Sequence, residues 1–137
     1  MPLIFTAEQM QRPMLANRSR LESDLLQHLL EFRPQLFATY PMPYLHWVVR
    51  DTLDIAAPFA LNDVEALRVF LQLRFDIAPG FWREPAIAAV LRRRDLSPMA
   101  RWAELATEPY GDAWLRAGRY RSAGEWRERF WVDGQAA

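Results

Sequence analysis

The chain contains no cysteine and no lysine. Without cysteine there are no disulfides, no thiolate nucleophiles and no cysteine-type zinc sites. Without an ε-amine there is no Schiff-base chemistry and no phosphate-loop lysine. All seventeen basic residues are arginine, a bias that function does not require and that GC-rich codons would produce, and seventeen acidic residues balance them. The net charge of zero removes the broad positive field that supplies most nucleic-acid affinity, so no nucleic-acid partner is expected. There are two histidines, and the five glycines form neither GxGxxG nor GxxxxGK, which excludes a phosphate-cradling loop. No run approaches the roughly 18 to 20 uninterrupted apolar residues of a membrane span, so no membrane association is expected. The opening residues Met1 to Glu8 lack a basic region followed by an apolar stretch. The expectation is a protein without a signal peptide, working in the cytoplasm.

What the chain has is apolar and aromatic material. Half of the 137 residues are hydrophobic, with six Trp, eight Phe and four Tyr, enough to bury one core. Its spacing is helical. Thr6 with Gln9 forms a capping-box pattern, and Pro13 can open a second helix at its first position. From Met14 to Phe32 the apolar positions Leu15, Leu21, Leu25, Leu29 and Phe32, with Leu26 and Leu30 beside them, fall on one helical face, the last four at intervals of three or four residues, and Pro34 ends the pattern. Pro43 suits the start of the next helix, which carries Tyr44, Trp47, Val48, Asp51 and Ile55 towards Ala57 and is closed by Pro58. Asn62, with Glu65 three residues on, predicts the cap of a third helix through Val64, Leu67, Phe70, Leu71, Arg74 and Phe75.

Ala78-Pro79-Gly80 is a turn signal, followed by a short helix from Glu84-Pro85 to about Arg93. Ser97-Pro98 caps and opens another, with Met99, Trp102 and Leu105 along it. Beyond Pro109 the pattern predicts a short helix from Gly111-Asp112 to Gly118 and a last one from Ser122 around Trp126 and Phe130. No segment alternates with period two between hairpin turns, and no repeat or long linker divides the chain. The expectation is therefore all-α: one domain over residues 1–137, a compact bundle of about five to seven helices. Leu25, Leu29, Trp47, Leu67, Phe70, Leu71 and Trp102 are its expected core.

Candidate chemistry is sparse. His28 and His46 lack HxxxH or ExxH spacing, and a histidine on a helix flank more commonly bonds a carbonyl; neither a metal nor a cofactor is expected. Ser19, Ser23, Ser97 and Ser122 lie outside any GxSxG elbow and read as caps or surface positions. Asp51 with Asp54 is a nominal carboxylate pair, for which a solvated helix face is the simpler reading. Arg92-Arg93-Arg94 is the only basic run. A helix C-terminus and Asp95 explain it locally, with a partner-docking patch as the alternative. No catalytic residues are expected.

The stretches Leu25-Leu26-Gln27-His28-Leu29 with Phe32-Arg33-Pro34, Leu61-Asn62-Asp63-Val64-Glu65-Ala66-Leu67, Phe81-Trp82-Arg83-Glu84-Pro85 and Leu96-Ser97-Pro98 occur in this order. Over about residues 18 to 106, that order resembles a family of small all-helical proteobacterial proteins encoded beside spike or effector components of type VI secretion. The resemblance implies a non-enzymatic adaptor, chaperone or immunity-like accessory protein, whose protein partner is a secretion effector or spike. A small helical nucleic-acid-binding regulator, and an enzyme with a dispersed site, are the alternatives.

Residues 109–137 lie outside the resemblance and read as a partner-specific extension. Trp114, Tyr120, Trp126 and Trp131 fall within eighteen residues, interleaved with Arg116, Arg119, Arg121, Arg127 and Arg129. Trp, Tyr and Arg dominate binding hot spots because each joins a large contact area to a directional polar group. Trp114, Arg119, Tyr120, Trp126, Arg127 and Trp131 are therefore the expected partner-binding residues. The competing reading lays the same aromatics on the core, with arginine stems covering the rim.

Overall fold

The computed structural model describes residues 18–35 and 40–120. Among the described residues six α-helices follow one another: α1 (Arg18–Phe32), α2 (Met42–Ala56), α3 (Val64–Asp76), α4 (Pro85–Leu91), α5 (Pro98–Leu105) and α6 (Gly111–Ala117). Three single turns of 3-10 helix, Ala57–Phe59, Phe81–Arg83 and Glu108–Tyr110, join them, and no strand occurs among the described residues. The fold is an all-α bundle.

The helix ends follow from local chemistry. Arg33 N–H still donates to Leu29 O at 2.9 Å, and the chain leaves the helix before Pro34. Pro43 is the second residue of α2, where its missing N–H has no intrahelical acceptor to lose. The α-helix ends at Ala56, ahead of Pro58 as expected, and runs on as a 3-10 turn that contains Pro58 and ends at Ala60, which adopts the left-handed conformation at φ 52°. The cap of α3 is Asp63 rather than Asn62, its side chain accepting from Glu65 N–H at 2.8 Å. Both residue types suit a cap, but the Asp carboxylate also meets the positive end of the helix dipole. The α4 helix is shorter than its pattern suggests, because Glu84 is the cap and Leu91 the last residue. Ser97 caps α5 as expected, its Oγ accepting from Ala100 N–H at 3.2 Å.

The α3 helix is central, packing against α1, α2 and α5. Leu25, Leu29, Trp47, Leu67, Phe70, Leu71 and Trp102 are all buried in one hydrophobic cluster that runs from α1 to α6. Phe81 lies at its aromatic centre, with ring centroids 5.1 Å from Phe70, 6.2 Å from Trp102 and 5.9 Å from Trp114. Trp102 donates its indole N–H to Ala66 O at 3.2 Å, so burial leaves that group satisfied. Around the outside, Arg68 grips both oxygens of Asp24 at 2.8 Å, joining α3 to α1, and Arg18 reaches Asp54 at 2.8 Å, joining α1 to α2. Arg33 pairs with Asp76. No described helix is long and apolar enough to cross a membrane.

Candidate functional site

The expected partner-binding segment begins on α6, whose four-residue spacing puts Ala113 and Ala117 on the buried face and leaves Leu115 outside. Leu115 is 77% exposed, the largest exposure of any bulky apolar side chain among the described residues. Trp114 faces the bundle instead. Its ring stacks on Phe81 with an interplanar angle of 25°, and its indole donates to Leu105 O at 2.7 Å. Arg119 is exposed and Tyr120 half-buried just past the helix. The Tyr120 carbonyl accepts from Gly80 N–H at 3.2 Å, fastening this end of the segment to the turn before Phe81. Trp126, Arg127 and Trp131 lie outside the described residues. The structure thus brings Leu115 and Arg119 to the surface while committing the Trp114 ring to internal packing. Leu115 is the residue that the hot-spot argument missed, because leucine is not a hot-spot type.

The residues nominated for chemistry are engaged in holding the bundle together. Asp51 and Asp54 point apart. Asp54 is exposed and binds Arg18, while Asp51 is buried and accepts from Arg74 Nη2 at 3.0 Å. Arg74, 1% exposed, also donates to Thr52 Oγ1 at 2.9 Å and to Pro79 O at 2.9 Å, and Thr52 donates onward to Val48 O at 2.7 Å. One guanidinium therefore joins α2, α3 and the turn that follows α3. A helical stripe marks Arg74 only as a core-facing position; nothing local signals its carboxylate.

Glu84 is a second buried acid, 3% exposed. One carboxylate oxygen accepts from Ala86 N–H at 2.8 Å and Ile87 N–H at 3.1 Å, and the other from Arg116 Nε at 3.0 Å. It caps α4 and fixes α6 against it.

The arginine run lies just past the end of α4, and its partners differ from those that a helix C-terminus of its own would provide. Arg93 does pair with Asp95, at 2.6 Å, which raises the Arg93 pKa and lowers that of Asp95. Arg92 lies over the Phe59 ring at 5.7 Å, and Arg94 donates to the carbonyls of Pro58 (2.8 Å) and Phe59. Arg101, 3% exposed, joins it there: Nη1 donates to Phe59 O at 2.7 Å and Leu91 O at 3.2 Å, and Nε to Leu96 O at 3.1 Å. The macrodipole argument holds, but for the end of α2 and its 3-10 extension, whose carbonyls receive both cations. Burial lowers the pKa of Arg101, and the nearby Arg94 lowers it further.

The histidines do not come together. His46 is exposed on α2. His28 is half-buried on α1 against Phe32, ring centroids 5.1 Å apart, and among the described residues its buried Nε2 has no hydrogen-bond partner, not the expected carbonyl. Among the described residues no three His, Asp or Glu side chains gather in a metal-binding arrangement. An open depression of about 560 Å³ is lined by Glu108, Pro109, Gly111 and Asp112, all exposed, so neither acid is taken out of water there. No family model, no curated protein and no solved structure matches the chain.

Proposed function

We propose that this protein is a non-enzymatic, protein-binding accessory factor, a cytoplasmic adaptor, chaperone or immunity-like partner of a type VI secretion effector or spike. The observation that carries the protein-binding part is Leu115. Leu115 is left 77% exposed on a helix whose other face is buried, with the exposed Arg116 and Arg119 beside it, and arginine is a residue type enriched at interfaces. The chain then continues from Tyr120 into Trp126, Arg127 and Trp131. The commitment of Asp51, Arg74, Glu84 and Arg101 to structural bonds supports the non-enzymatic part, since among the described residues these are the buried charged groups that catalysis would draw on. The class of partner rests on the order of features between residues 18 and 106. An immunity protein would hold a toxin's active site tightly, whereas a chaperone would cover apolar surface and release it.

The test is capture of the partner from the native host by the full chain and by a chain ending at Tyr120. Ending there retains the carbonyl that Gly80 N–H requires. The expected result is that the shortened chain keeps a cooperative helical melt and loses the partner, and that Leu115→Glu weakens capture in the full chain. Undiminished capture of the same partner by both variants would sink the proposed interface.

A further inference from the structure

Residues 81–101 contain five arginines and two acids, a local positive excess in a chain that is neutral as a whole. Both acids are already committed, Glu84 to the α4 cap and Arg116, and Asp95 to Arg93. Arg92, Arg94 and Arg101 converge on Phe59, the first over its ring and the other two on its carbonyl, and no described carboxylate lies within ion-pair distance of any of the three. Arg92 and Arg94 are exposed, with Arg101 beneath them.

We propose that this arginine cluster around Phe59 is a docking surface for an acidic segment of a protein partner, one rich in Asp or Glu. The proposal rests on the protein-binding reading above and assigns the partner its chemistry. Three features favour carboxylates. The Arg92 and Arg94 side chains are already held, one by a ring face and the other by two carbonyls, so little side-chain freedom is lost on binding. Arg94 uses two of its five N–H donors on those carbonyls, leaving the rest for the forked geometry that a carboxylate accepts. Arg94 and Arg101 share one carbonyl oxygen at mutual electrostatic cost, which an incoming anion relieves. A nucleic acid is disfavoured, because the cluster presents two exposed guanidiniums rather than a track, and Phe59 is buried where a base would need to stack.

The experiment uses the full chain with a fluorescent twelve-residue peptide alternating Glu and Ser, the same peptide with Gln for Glu, and a twelve-nucleotide single-stranded DNA. Arg92→Glu is the informative variant, since Arg92 caps α4 only through its backbone N–H, which the substitution keeps, and among the described residues its side chain makes a ring contact and bonds no carbonyl; Arg20→Glu, exposed on α1, makes the same charge change elsewhere. The Glu peptide is expected to bind with an affinity that falls as salt rises, and the Gln peptide to bind at least tenfold more weakly. Arg92→Glu should weaken the Glu peptide at least fivefold and Arg20→Glu less than twofold. If Arg92→Glu fails to melt cooperatively, Arg92→Gln takes its place, with at least a threefold weakening expected. Equal losses from Arg92→Glu and Arg20→Glu, no binding of the Glu peptide, or tighter binding of the DNA would each overturn the proposal. Should the host partner be lost on ending the chain at Tyr120 yet be held unchanged by Arg92→Glu, the protein-binding reading stands and this surface does not.

Discussion

Replacing Arg74 by methionine should be among the most destabilising single changes in this protein. The guanidinium makes bonds of 3.0, 2.9 and 2.9 Å to Asp51, Thr52 and Pro79, and it is almost wholly removed from water. Methionine keeps much of the length of the chain but none of the donors, and it leaves the buried Asp51 carboxylate without this cation. Breaking one side of a buried ion pair typically costs about 3 to 5 kcal/mol, a large part of the roughly 5 to 15 kcal/mol that holds a domain folded. Removing both charges is different: the Asp51→Leu, Arg74→Met double variant should fall within about 2 kcal/mol of the parent, because neither desolvated charge remains. Urea titration followed by far-UV circular dichroism reads these values. With a slope of about 2 kcal/mol per molar, the single change lowers the midpoint by about 2 M. A loss below about 1 kcal/mol for Arg74→Met, or a double variant whose cost equals the sum of the two singles, would refute the argument that the pair acts as a unit.

Leu71, fully buried on α3, should cost about 2 to 5 kcal/mol when cut to alanine, whereas Leu115→Ala should stay within about 0.5 kcal/mol of the parent. Equal melting temperatures for the two would contradict the burial pattern. Glu84→Ala should cost about 1 to 2 kcal/mol through the lost α4 cap, and Arg116→Ala, half-exposed, less than about 1 kcal/mol. The reverse order in thermal melts would show that the ion pair outweighs the cap.

The elements and the core were legible because both depend on spacing. Leu25, Leu29, Leu67 and Leu71 recur at helical intervals whatever surrounds them, and Ser97-Pro98 announces a helix start within two residues. Spacing does not choose between two neighbours that can do the same job, as with Asn62 and Asp63, and a proline such as Pro58 marks the end of an α-helix without showing that a 3-10 turn carries on through it. The charged interior was not legible. Arg101 and Glu84 resemble any surface residue in the sequence, since part of what receives each charge lies far along the chain, Leu91 and Phe59 at 10 and 42 positions from Arg101 and Arg116 at 32 positions from Glu84. The candidate interface was legible only in part. Residue type drew attention to Trp114, but type does not say which side of a helix a ring lies on, and the exposed neighbour Leu115 is of a commonplace type.

The end of α2 has a consequence for the order in which the chain can assemble. Its closing carbonyls are met by Arg94 and Arg101, more than thirty residues downstream, and the turn at Ala60 holds a non-glycine residue in the left-handed region, which costs roughly 1 kcal/mol. A nascent chain that had emerged only as far as α3 would possess the helix but not what finishes it. Residues 57–60 would fray until α4 and α5 arrived. The boundary of α2 is thus completed by tertiary contacts, which tie its end to residues on the far side of α4 without a covalent cross-link.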